Sequence, residues 1–186
     1  ANDKEAFELD EAGLQKRVSR LLRERSEEVI QEMRALYPDA SPSDLYIAIH
    51  TGFLRYPSDS IRIAERKAAQ GGAPAYHYTF EWESPARWGK LKTPHALEIP
   101  FVFDNVALGT WATFTRATPE AHTLAAKVSA TWAAFARTGD PNSGDLPRWE
   151  PYSAEDRKTM LIDNESRLAS DPRPEERQLW EQLYKG

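Results

Sequence analysis

Four histidines, no cysteine and no G-x-S-x-G stretch bound the chemistry open to this 186-residue sequence. Without cysteine there is no disulfide, no thiolate metal site and no thiol nucleophile. Neither H-E-x-x-H nor C-x-x-C occurs, and no two histidines have the spacing of a metal pair, so neither a metal nor a cofactor is expected. His50 and His122 lie inside helical patterns, and His77 lies on the polar side of an alternating strand; each reads as structural. His95 has a different setting. It follows Thr93-Pro94 in a loop after that strand, and Leu97-Glu98-Ile99-Pro100 succeeds it. A rigid sheet can aim a side chain on such a loop while leaving it accessible. An imidazole so placed suits proton transfer in both directions near neutral pH.

The elements that must position His95 follow from periodicity. Leu14, Val18, Leu21, Leu22, Val29, Ile30, Met33 and Leu36 recur at helical spacing, which predicts one long amphipathic helix or two short ones ending before Pro38. Ser41-Pro42-Ser43-Asp44 supplies a hydroxyl cap, a proline at the first position and an acid in the first turn of the next helix. A third helix is predicted over 59–70, stopping at Gly71-Gly72. Then the period changes to two. From Ala75 to Trp82 aromatics fill alternate positions, which predicts a strand. Ile99-Pro100-Phe101-Val102-Phe103 is apolar but contains proline, and reads as a short irregular or edge segment. Thr118-Pro119-Glu120 opens another helix with Leu124, Val128, Trp132 and Phe135 on its apolar face, closed by Gly139. Thr159 to Ile162 is a brief strand, and a last helix carries Leu179, Trp180 and Leu183.

Two strands about 75 residues apart cannot be hairpin partners, and a lone pair leaves both edges unpaired. They are expected to belong to a larger sheet, so the chain reads as part of a domain. The amino-terminal Ala1-Asn2-Asp3-Lys4-Glu5 has no signal-peptide character, and the chain does not start with Met; a fragment or processed product is expected. The net charge of −5 argues against nucleic-acid and anionic-membrane partners, which want a basic face. No apolar run approaches the roughly 20 residues of a membrane span. The lack of cysteine fits a cytoplasmic location better than a secreted one.

Pro94-His95-Ala96-Leu97-Glu98-Ile99-Pro100-Phe101-Val102-Phe103 resembles the histidine segment of the type-B carboxylesterases, which typically reads H-G-x-E-[IL]-x-F-V-F. Residues 59–70, followed by Ala73 to Phe80, are similar to the helix and aromatic strand that precede that histidine in the family. Trp132 to Asn142, then Trp149-Glu150-Pro151-Tyr152, are similar to its W-x-x-F-A-x-x-G-x-P-N and W-x-x-Y patterns. The likeness runs in order from about Leu14 to the carboxyl terminus. It implies an α/β architecture, the C-terminal portion of an α/β-hydrolase fold: a single domain of which residues 1–186 are the last segment. It carries over one catalytic residue, His95, as the acid/base histidine of a serine esterase whose nucleophile and acid lie upstream of the matched region. One departure stands out: the family usually has glycine where this chain has Ala96, which matters only if that backbone needs φ > 0.

The resemblance implies a small-molecule ester as substrate and the missing amino-terminal half of the same domain as partner. The isolated chain is then expected to be inactive, and its exposed sheet edges could support a homo-oligomer. Glu98 reads as structural because the family's acid lies far upstream. Asp59 and Arg173 occupy places like those of an intramolecular ion pair in relatives. Among Trp82, Trp88, Trp111, Phe114, Trp132 and Trp149, core packing is expected over a role as pocket wall, least firmly for Trp111 and Phe114. Two other readings remain: a non-catalytic binding module of the same fold, and an independent helical domain.

Overall fold

The structure, a computed structural model, describes residues 3–55, 60–142 and 145–185. Its contacts gather into two compact units, one of residues 1–60 with 173–186 and one of residues 61–172.

The first unit is helical. The apolar run splits into α1 (Glu11–Leu22) and α2 (Ser26–Leu36), parted at Arg23, whose φ of 51° no α-helix can carry. Asp10 caps α1 by accepting from the Gly13 amide at 2.7 Å. Ser41 caps α3 (Pro42–Arg55), its hydroxyl accepting from the Asp44 amide at 3.1 Å and donating to the Asp44 carboxylate at 2.7 Å. With α8 (Pro174–Lys185), these helices enclose a core of Leu14, Val18, Val29, Met33, Leu45, Ile49 and Trp180. Gly52 makes room for the Trp180 ring: a Cβ there would lie 2.1 Å from its Cε2 atom.

The second unit is built on three strands, β1 (His77–Phe80), β2 (Lys158–Ile162) and β3 (Arg167–Ser170), in the order β1-β2-β3. β1 and β2 run parallel, with His77 opposite Thr159 and Phe80 opposite Ile162; β2 and β3 run antiparallel. The central strand β2 buries Thr159 to Ile162, the continuous burial expected of a strand covered on both faces. Among the described residues, the outer edges of β1 and β3 pair with no further strand. The strand at 167–170 was not expected, and the predicted strand at 75–82 is shorter than its alternation suggests.

α4 (Ser60–Ala69) corresponds to the helix predicted over 59–70, and Glu65 on it pairs with Arg157 ahead of β2 at 3.0 Å. α5 (Ile99–Val102) and α6 (Trp111–Thr115) are short helices. The former corrects the expected irregular or edge segment: Pro100 falls in the first helical turn, where its missing N–H costs nothing. α7 (Pro119–Thr138) has the expected Thr118 cap, accepting from the Ala121 amide at 3.2 Å, and ends at Gly139 with φ 77°. Leu124, Ala125 and Val128 of α7 meet Trp82, Leu97, Phe101, Val106, Trp149, Met160 and Ile162 in one core.

Candidate active site

The chain after β1 is pinned at successive points before it reaches His95. The Glu81 amide donates to the Ile162 carbonyl at 2.8 Å, extending the ladder by one residue, and Trp82 is buried. Residues 84–92 form a loop closed at its neck by the Ser84 amide donating to the Lys92 carbonyl at 2.9 Å. The Thr93 hydroxyl donates back to the carbonyls of Trp82 and Glu81 at 3.0 and 3.3 Å. The Ser84 hydroxyl donates to the Phe114 carbonyl at 2.6 Å. That proton is committed and the side chain is buried, which disqualifies Ser84 as a nucleophile.

His95 then occupies the second position of a turn closed by the Leu97 amide donating to the Pro94 carbonyl at 3.1 Å. Leu97, two residues on, is 1% exposed, and Phe101 is fully buried, so the backbone on that side is seated in the core. The imidazole is exposed. Ala96 fills the third position of the turn with φ 67°, where glycine is strain-free and alanine is not. The condition attached to the Gly-to-Ala departure is therefore met. Arg87, Trp88, Lys92 and Asp104 also hold positive φ, so strained backbone clusters along 87–104.

The other candidates lie elsewhere. His50 is half-buried on α3, its ring 5.6 Å from that of Tyr46 one turn earlier. His77 is buried, with Nδ1 3.0 Å from the Thr159 hydroxyl, and His122 is exposed on α7. The Thr159 hydroxyl also donates to the Arg157 carbonyl at 3.0 Å, so His77 donates from Nδ1. Among the described residues, no set of three or more His, Asp or Glu side chains is placed to hold a metal. No helix there is long and apolar enough to cross a membrane. Glu98 is half-buried and acts on Tyr78: burial first, and then this carboxylate, holds the Tyr78 phenol above its ordinary pKa. Asp59 lies outside the described residues, and the expected pairing with Arg173 lies there with it.

Core packing accounts for Trp82 and Trp149, and Trp132 and Phe114 pack against the same core. Trp111 is half-buried. Trp88 contradicts the expectation. It is 95% exposed, at the tip of the closed loop that leads to His95. Phe103 and Leu108, downstream of His95, are exposed as well. Composition gave no signal for this, because a tryptophan between Arg87 and Gly89 carries no periodicity that marks its side of the chain.

Comparison with known proteins decides the family. The model of the Carboxylesterase family matches residues 2–180. The chain belongs to the carboxylesterase family. It is 31% identical over 148 residues to the para-nitrobenzyl esterase of Bacillus subtilis, a match covering 80% of this chain and 29% of that protein. It is 31% identical over 112 residues to the phenmedipham hydrolase of Pseudarthrobacter oxydans, covering 59% of this chain and 22% of that protein. Among solved structures, a Geobacillus stearothermophilus carboxylesterase superposes with a TM-score of 0.77 at 34% identity, over 96% of this chain and 36% of that one. The chain thus spans about a third or less of the length of the carboxylesterases it matches. Its mixed sheet and flanking helices are part of an α/β-hydrolase fold.

Proposed function

We propose that this chain is the histidine-bearing part of a serine carboxylesterase, with His95 as its general base and acid. The observation that carries the reading is the His95 turn: an exposed imidazole on backbone fixed by the Thr93 hydrogen bonds on one side and buried Leu97 and Phe101 on the other. The similarity to carboxylesterases along the whole chain supports it. In such a site His95 takes the proton of a serine hydroxyl as that oxygen attacks the ester carbonyl. It then returns the proton to the departing alcohol. The serine, the carboxylate that orients the imidazole and the amides that hold the oxyanion belong to the portion of the enzyme this chain does not match. Both units are then parts of one larger domain, and the open outer edge of β1 is where that portion pairs.

The test is a fusion of this chain to the unmatched portion of the Bacillus subtilis para-nitrobenzyl esterase, assayed on a p-nitrophenyl ester. The fusion is expected to hydrolyse it, the 186-residue chain alone to show no enzyme-like turnover, and His95→Ala to lower kcat of the fusion by about 10³-fold or more. Enzyme-like turnover by the chain alone, unchanged by His95→Ala, would overturn the reading.

A further inference from the structure

The unit of residues 61–172 holds a second site-like feature, on β1 and α7, that plays no part in the role proposed for His95. Tyr76 and Tyr78 from the β1 segment, Trp132 and Phe135 from α7, and Trp149 from the chain before β2 wall a cavity of about 150 Å³. The walls stand nearly at right angles. Tyr78 meets Trp132 at 81° with centroids 5.1 Å apart, Tyr76 meets Phe135 at 80° and 5.9 Å, and Tyr76 meets Trp149 at 78° and 6.0 Å. The five rings line one space, and aromatic rings around a space attract a cation.

Charge around the box has the complementary sign. Asp140 adjoins Pro141, which also lines the cavity, and its carboxylate is fixed by the Asn142 backbone and side-chain amides at 3.0 and 2.7 Å. Asp140 acts on the Tyr76 phenol and Glu98 on that of Tyr78; in both cases burial is the larger cause, and both phenols are held above their ordinary pKa. Arg148 also acts on Asp140, and is itself exposed.

We propose that this aromatic box binds a small alkylated ammonium group. The negative charge of Asp140 and Glu98, which reaches the Tyr76 and Tyr78 rings, disfavours an anion there. A bare ammonium would lose its water to walls that are mostly ring carbon and replace few of those hydrogen bonds. Alkyl groups weaken that hydration and match the apolar faces, while the charge keeps its attraction to the rings and carboxylates.

The probe is tetramethylammonium chloride, titrated into the 186-residue chain at constant ionic strength. Tryptophan fluorescence and the methyl proton shift of the probe are the readouts, and far-UV circular dichroism establishes that each protein is folded. Binding is expected to saturate in the millimolar range, with the methyl signal moved upfield by the ring currents. Asp140→Asn, at an exposed position, is expected to weaken binding about threefold, and Trp132→Leu to abolish saturation. tert-Butanol, of similar shape without charge, is expected to give no saturable response. The proposal is overturned by a folded chain that does not saturate below about 100 mM probe. Equal binding of tert-butanol, or a folded Asp140→Asn variant that binds undiminished, overturns it too.

Discussion

Replacing Ala96 with glycine should stabilise the protein, although glycine usually has the opposite effect. Two contributions compete. At φ 67° the alanine Cβ crowds its own backbone, and release of that strain is worth about 1–2 kcal/mol. Against it, glycine gives the unfolded chain more freedom than alanine, a loss of about 0.5–1 kcal/mol. Strain relief is the larger, which leaves a net gain of about 0.5–1 kcal/mol. The assay is urea unfolding followed by tryptophan fluorescence: the midpoint should rise with the slope unchanged, and the thermal midpoint should rise by about 1–3 °C. Ala96→Val should move the midpoint the other way, because a β-branched residue tolerates positive φ less well still. A lower midpoint for Ala96→Gly would refute the reasoning. It would mean that the turn carrying His95 does not hold its third residue in the left-handed region.

Gly52→Ala tests the opposite balance: helix propensity favours alanine by about 0.8–1 kcal/mol, but the new Cβ would stand 2.1 Å from a ring that is 2% exposed. Overpacking should win, with a net loss of about 1–2 kcal/mol by urea unfolding, and a more stable variant would mean that Trp180 is not seated there. Thr93→Val should cost about 1 kcal/mol by the same assay, because it removes the hydroxyl that holds the His95 segment to the Trp82 and Glu81 carbonyls; an unchanged midpoint would exclude that tether. Raised folded-state values for Tyr76 and Tyr78 favour the neutral phenols in the native state. Their contribution is therefore complete below the unfolded value of about 10 and is lost as pH rises through the higher folded values. Unfolding midpoints should fall above about pH 10, less steeply for Tyr78→Phe, and an identical slope in that variant would exclude Tyr78 as a contributor.

Local signals were readable where one residue does one job. Ser41, Thr118 and Gly139 mark helix ends because capping is a contact between near neighbours, and each does so in the structure. The segment around His95 was readable for another reason: its apolar residues anchor the backbone within six positions of the histidine, so aim and support lie in one stretch. β3 was not readable. Arg167-Leu168-Ala169-Ser170 has neither alternation nor β-branched residues, and it is a strand because β2 offers it a ladder. The parallel pairing of β1 with β2 was equally hidden, since it joins residues 82 positions apart. Proline misled at Ile99-Pro100, where the same locked φ suits an edge strand and a first helical turn. Trp88 misled because tryptophan usually belongs inside.

The parallel pair gives the sheet a polarity. β1 and β2 both finish at one rim, where the Glu81 amide meets the Ile162 carbonyl and from which the chain runs through the closed loop of residues 84–92 to the His95 turn. In open sheets with parallel strands, ligands gather outside the carboxyl ends. The opposite rim is closed by different means: the Tyr152 amide donates to the Ala75 carbonyl, and His77 is stapled to Thr159. Substitutions therefore divide by rim. On the role proposed for His95, those at the carboxyl rim act on the reacting groups as well as on folding, while those at the amino rim lower stability and leave the surviving folded molecules chemically unaltered.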